Sequence, residues 1–304
     1  MLPHPGDIFE HKYRIDHVLG KGSFAHVYKA VVDEIGRKVA IKILRPLYGE
    51  DGRPTYSEQL RQRFLREAKL LSELQDRHTI RLYDYGKSQD GLLFMIFEFV
   101  DGAPLADLIG AKMSGARVVS ILKQVLSSLH EAHQHGIIHR DIKPANIMIY
   151  EYLGQTDCAK LLDFGVAKDV DATMQLTTRN MRIGTMRYMS PEQVRGEEVV
   201  PASDLYSLGL VAYEMLVGAK AIESDDMNVV SLFHMRPDPI VLPNIDVAPD
   251  LRTVVERMMS KSLADRFGTA AEVVSALDAV RLDLLDDDDL DDPPTLRAFV
   301  PADD

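Results

Sequence analysis

The chain is 304 residues long, 46% hydrophobic and 27% charged, which suits a soluble globular body built as one large domain or two lobes. Of its formal charge of −12, a net −8 lies in residues 283–304, where nine Asp meet one Arg, so the remainder is only mildly acidic and offers no basic face for nucleic acid. Cys158 is the single cysteine, which excludes an intrachain disulfide and fits a reducing compartment.

The N-terminal "MLPHPGDIFEHKYRID" holds no apolar run of signal-peptide length. "YRIDHVLGKG" and "HVYKAVV" read as strands around a glycine pair, and "GRKVAIKIL" follows a turn. The Pro- and Gly-rich "RPLYGEDGRPTYSEQ" reads as a loop, and "LRQRFLREAKLLSEL" as an amphipathic helix. "TIRLYDYG" and "LLFMIFEFV" are strand-like, the second apolar enough to be largely buried. Beyond "DGAPL" the pattern turns helical, beginning with the long run from Ala116 to Gly136. "NIMIY" and "AKLLDF" are short strands around a loop "EYLGQTDC", which places Cys158 in an exposed loop without a function. The stretch from Leu205 to Ala219 is too short, and too interrupted by Glu214, to span a bilayer, so it predicts a buried helix and a cytoplasmic chain. Residues 283–304 are too charged and too poor in core residues to fold alone and read as an acidic disordered tail.

Several residues in this frame carry chemistry. Gly20 and Gly22, with Val27 beyond them, sit between two strands, where backbone without Cβ atoms can approach phosphate oxygens. Lys42 ends the apolar "VAIK", and a buried ammonium there needs an anion, for which Glu67 in "REAKLLSEL" is the candidate. His130, His133, His135 and His139 fall within ten residues, and spacing alone leaves a metal site, a helix end and a catalytic loop open. "HRDIKPANIM" then supplies Asp141 to accept a hydroxyl proton, Lys143 to neutralise a phosphoryl group, and Asn146 to hold a metal through its carbonyl oxygen. "LLDFGVAK" adds Asp163, a hard carboxylate ligand suited to Mg²⁺.

These motifs, in this order, resemble those of the eukaryotic-type protein kinases, most of all the Ser/Thr kinases of bacteria. The resemblance implies an α+β fold of two lobes, a small β-rich one and a larger helical one. It implies a kinase domain over residues 13–281, divided at about residues 98 and 99, with the tail at 283–304. Lys143 and Pro144 resemble the Ser/Thr-specific branch. "GTMRYMSPEQ" resembles the peptide-positioning segment, with Ser190 where Ala is common, and Arg266 would pair with Glu192.

By the same resemblance Lys42 would hold the α/β-phosphates of ATP, and Glu67 would hold Lys42. Asn146 and Asp163 would bind Mg²⁺, Asp141 would receive the proton of the attacking hydroxyl, and Lys143 would stabilise the transferred phosphoryl group. The nucleotide would lie among Leu19, Gly20, Gly22, Val27, Ala40, Lys42 and Phe97, with adenine against the backbones of Glu98 and Val100. His130, His133 and His135 then close a helix beside Gly136 and need no metal, while His139 packs on Phe164. Thr185 would bond Asp141 and Lys143, and Arg140 would clamp a phosphothreonine in the loop holding Thr173, Thr177 and Thr178.

The implied activity is ATP- and Mg²⁺-dependent phosphorylation of protein Ser/Thr hydroxyls, with autophosphorylation at Thr177 or Thr178. It implies protein substrates, no nucleic acid and no membrane, and leaves room for a transient dimer that autophosphorylates in trans. The tail reads as a solubilising charge run, with docking of a partner or a phosphosite at Thr295 as the sharper alternative. Two other readings stay open: a nucleotide-bound but inert scaffold, for which Ala25 and Pro104 depart from the family pattern, and a small-molecule phosphotransferase, which "GTMRYMSPEQ" argues against.

Overall fold

The computed structural model describes residues 2–22, 25–49, 53–164 and 183–281. Strands β1 (Ile8–Phe9), β2 (Tyr13–Lys21), β3 (Ala25–Val32) and β4 (Arg37–Leu44) come first. The stretch expected as a loop carries a two-stranded ribbon, β5 (Leu47–Tyr48) and β6 (Pro54–Thr55). Helix α1 (Glu58–Glu73) follows, then β7 (Leu82–Lys87) and β8 (Leu93–Glu98). The larger strands form one antiparallel sheet in the order β1-β2-β3-β4-β8-β7.

Strand alternation sends side chains of this sheet into two cores. Val39, Ile41, Ile43, Phe94 and Ile96 face one side, where Phe9 stacks edge-on against Phe94 at 5.1 Å. Leu93, Met95 and Phe97 face the other, against α1. That double burial explains why "LLFMIFEFV" is apolar without interruption. Helix α1 starts at Ser57, whose side chain accepts a bond from Leu60 N–H, and buries Phe64, Glu67, Ala68 and Leu71. The spacing is that of one helix face, and a glutamate stands within it.

The rest is mainly helical. A short strand β9 (Gly102–Pro104) leads into α2 (Leu105–Leu108) and α3 (Gly115–Gln134), which Ser114 caps. Strands β10 (Ile147–Tyr152) and β11 (Gln155–Leu161) pair antiparallel, and β9 lies beside β10. This corrects the loop expected at "EYLGQTDC". Only Leu153 and Gly154 turn, both at positive φ (51° and 76°), as a two-residue hairpin requires, so the strands run longer than the sequence suggested. Cys158 is therefore a buried strand residue, its thiol donating to Gln155 O, and not an exposed loop residue.

Helices α4 (Ile183–Met186), α5 (Pro191–Arg195), α6 (Pro201–Val217), α7 (Met227–Met235), α8 (Pro249–Met258) and α9 (Ala270–Asp278) complete the fold. α6 is buried on nearly every side, which accounts for its apolar sequence. At Gly209 a Cβ would come within 2.9 Å of Met258 and Met259, so glycine there permits the close approach of α8. Among the described residues no helix is long and apolar enough to cross a membrane.

Candidate active site

The sheet, α1 and the segment after α3 bring the sequence-selected residues together. Gly20 pairs with Val27 across β2 and β3, and Val27 pairs with Lys42 across β3 and β4. Gly22 N–H donates to Ala25 O at 2.8 Å, and a Cβ on Gly22 would meet that oxygen at 3.0 Å, so the turn is tight. Ala25, which replaces the usual third glycine, is an ordinary strand residue opposite Leu44. Leu19 is exposed near the end of β2, and Ala40 stands opposite Phe97, which is buried. Glu98 ends β8, and its carboxylate accepts from Lys160 Nζ at 2.6 Å and from Arg81 N–H at 2.8 Å. Val100 follows in the link to the helical part, and Pro104 pairs with Met148.

Lys42 sits between two carboxylates, 3.1 Å from Asp163 Oδ1 and 3.4 Å from Glu67 Oε1. Burial works against its charge, yet Asp163 and then Glu67 hold its pKa above the ordinary amine range. Reciprocally, the Lys42 ammonium holds the Asp163 carboxyl below the usual carboxylate range. Asp163 adopts a left-handed backbone (φ 50°), a costly conformation for a residue with Cβ and one that clusters at functional sites. The next residue, Phe164, lies 4.6 Å from the His139 ring, and His139 Nε2 is 2.8 Å from Leu162 O. Burial lowers the His139 pKa and favours the neutral ring.

Around Asp141 the bonds are dense. Asp141 Oδ2 accepts from Lys143 Nζ at 3.0 Å and from Asn146 Nδ2 at 3.1 Å, which fixes the carboxylate plane. Lys143 also reaches Thr185 Oγ1 at 3.1 Å, so it stands between Asp141 and helix α4. Asn146 spends its Nδ2 on Asp141, leaving Oδ1 as its acceptor. Leu162 N–H donates to Asn146 O at 2.8 Å, which draws Asp163 to the same place. An amide oxygen beside a carboxylate is a hard-oxygen donor set suited to a divalent cation such as Mg²⁺.

Sequence reasoning left some of the supports unseen. His133 Nε2 lies 2.9 Å from Asp204 Oδ2, and Asp204 also accepts from the backbone N–H groups of His139 and Arg140, each at 2.8 Å. One buried carboxylate thus holds the residues just ahead of Asp141, and the histidine that suggested a metal is its partner. The signal in the sequence was a polar Asp204 opening an otherwise apolar helix. Lys160 was likewise unmarked, although a lysine in a buried strand is a request for an anion. Arg266 and Glu192 do meet, both buried, at 2.9 and 3.2 Å, with Ser203 Oγ also donating to Glu192. Thr173, Thr177, Thr178, Thr295 and the acidic tail lie outside the described residues.

Comparison with known proteins matches residues 13–276 to the family described as "Protein kinase domain". A relative named serine/threonine-protein kinase pkn3, from Myxococcus xanthus, is 35% identical over 284 residues, covering 90% of this chain and 51% of that protein. Serine/threonine-protein kinase PknA of Mycobacterium tuberculosis is 34% identical over 287 residues, covering 92% and 64%. PknB of Mycolicibacterium smegmatis is 36% identical over 270 residues, covering 86% and 42%. The chain thus spans roughly half the length of the curated relatives it matches. The β-rich unit, the helical unit, and the meeting of Lys42, Asp141, Asn146 and Asp163 between them agree with that match, and the chain belongs to the protein kinase family.

Proposed function

We propose that this chain is a Ser/Thr protein kinase that moves the γ-phosphoryl group of ATP to protein hydroxyls, using a divalent cation, Mg²⁺ by its donor chemistry. The observation that carries the proposal is the position of Lys42, bonded at once to Glu67 and Asp163, with Asp141, Lys143 and Asn146 joined in a second cluster. Groups already paired need little rearrangement when charge develops, which is where most of the rate enhancement of phosphoryl transfer originates. Residues 13–281 form the acting domain.

In this reading Gly20, Gly22 and Val27 cover the phosphates, and Lys42 neutralises them. The backbones of Glu98 and Val100 take adenine beneath Phe97 and Ala40, with Leu19 at the rim. Asn146 and Asp163 hold the cation, which offsets phosphate charge when bound. Asp141 orients the substrate hydroxyl and receives its proton, while Lys143 faces the group in transfer. The scaffold reading rests on Ala25 and Pro104, and neither departure removes one of these groups. Thr177 or Thr178, with Arg140 as phosphate clamp, remains the proposed site of autophosphorylation.

Incubating the protein with Mg-ATP and a generic basic protein tests this. Wild type should transfer phosphate to Ser and Thr, and Asp141→Asn should slow transfer by roughly 10²–10⁴, the usual contribution of a positioned base. Equal rates for the two proteins would overturn the assignment of Asp141. No transfer by wild type at all would overturn the kinase reading.

A further inference from the structure

Arg140 has a left-handed backbone (φ 64°) immediately ahead of Asp141, and a strained non-glycine residue keeps that shape only when its neighbours impose it. Its N–H is held by Asp204 Oδ1 at 2.8 Å. Its carbonyl is held from the opposite direction: Gln193 Nε2 donates to Arg140 O at 3.0 Å. The peptide joining Arg140 to Asp141 is fixed at its other end too, since Asp141 N–H donates to His139 Nδ1 at 3.3 Å.

The Gln193 amide can serve that carbonyl because Ser190 decides which way round it lies. Ser190 N–H donates to Gln193 Oε1 at 3.0 Å and Ser190 Oγ donates to the same oxygen at 3.2 Å. With the oxygen so occupied, the NH₂ group must point the other way, toward Arg140. Ser190 and Gln193 are also the capping box of α5, the helix that follows the peptide-positioning segment. One side chain therefore caps that helix with its oxygen and grips the peptide ahead of Asp141 with its nitrogen.

We propose that Gln193 is a positioning residue for phosphoryl transfer: it ties α5 and the peptide-positioning segment to the backbone of Asp141, and so sets the aim of the Asp141 carboxylate. The proposal rests on the kinase reading above. The serine at position 190 adds its hydroxyl as a second donor to the Gln193 oxygen, beside the backbone N–H that an alanine would also supply.

Gln193→Glu separates positioning from capping. A glutamate is a usual N3 residue of a capping box, so it keeps the acceptor for Ser190 and preserves α5. It loses the donor and sets a carboxylate against the Arg140 carbonyl. We expect kcat for a protein substrate to fall by about tenfold or more, the scale of one lost positioning bond. KM for ATP and the melting midpoint should stay at wild-type values. A pure capping role predicts wild-type kcat, and that result would overturn the proposal. If Gln193→Glu melts early, Gln193→Met decides in its place. This neutral side chain of similar length must show the same loss of kcat at unchanged KM for ATP in its folded fraction, and an unchanged kcat sinks the idea. Wild type and Asp141→Asn run alongside: transfer by neither discredits the kinase reading itself, a failure distinct from equal rates in wild type and the Gln193 variants.

Discussion

The sharpest electrostatic feature at the residue scale is Lys42 set between Asp163 and Glu67. Asp163 is held low chiefly by the Lys42 charge, and a carboxyl depressed in the folded state adds stability that is fully present above its unfolded pKa of ~3.9. That stability disappears as pH falls through the lower folded value. Asp163→Asn should therefore be destabilised relative to wild type above about pH 5, with the difference shrinking as pH drops below about 4. Urea titrations of both proteins across this range measure it, and a difference that grew toward low pH would contradict the assignment. The same variant should lose most phosphoryl transfer, because the proposed cation ligand and a partner of Lys42 go together. Lys42 was legible in the sequence because a lysine ending an apolar strand needs an anionic partner, and Glu67 was legible as the candidate for that partner. His133 with Asp204, and Gln193 with Arg140, were not legible, since a half-buried His or Gln has many satisfactory partners and only the fold selects one.

Among the elements, α5, α6 and the segment before α9 are locked by Glu192 and Arg266. Arg266 is wholly buried and also donates to the carbonyls of Ser260, Lys261 and Ala202. Removing one member of a buried pair leaves the other charge uncompensated, at a cost of about 3–5 kcal/mol. Arg266→Met should lose stability on that scale in chemical denaturation, and Glu192→Gln added to it should restore part of the loss. A loss under about 1 kcal/mol, the size of a surface pair, would show that water reaches the site. Element types followed well from the sequence: the alternation of β3 and β4, the single face of α1 and the largely apolar sequence of α6 each name their environment. The ribbon β5–β6 and the length of β10 and β11 did not. Short strands rich in Gly, Pro and polar residues carry loop-like composition, and pairing geometry decides them.

For the molecule as a whole, the proposed nucleotide site lies where the small sheet meets the helical part, so its geometry depends on how each side is anchored. Glu98 is held from the helical side by Lys160 and from the sheet by Arg81, which fixes the link between them. The two-part architecture was readable from order alone, strands first and helices after, because each part shows its own hydrophobic period.

Strand β1 has a mechanical consequence for the glycine turn. Phe9 and Ile8 pin the start of β2, where Tyr13 and Ile15 are buried, while its far end, from Leu19 to Gly22, is mostly exposed. β2 is thus a cantilever, clamped at its root and loaded at its tip. The tip is paired with the start of β3 at Gly20–Val27 and Lys21–His26, so raising it bends the end of the β2–β3 hairpin and leaves the packed root of β2 undisturbed. Hydrogen exchange should report a gradient, slow at Ile15 and fast at Gly20 and Gly22, with Mg-ATP slowing the tip alone. Uniform exchange along β2 would mean that the strand lifts as a rigid whole.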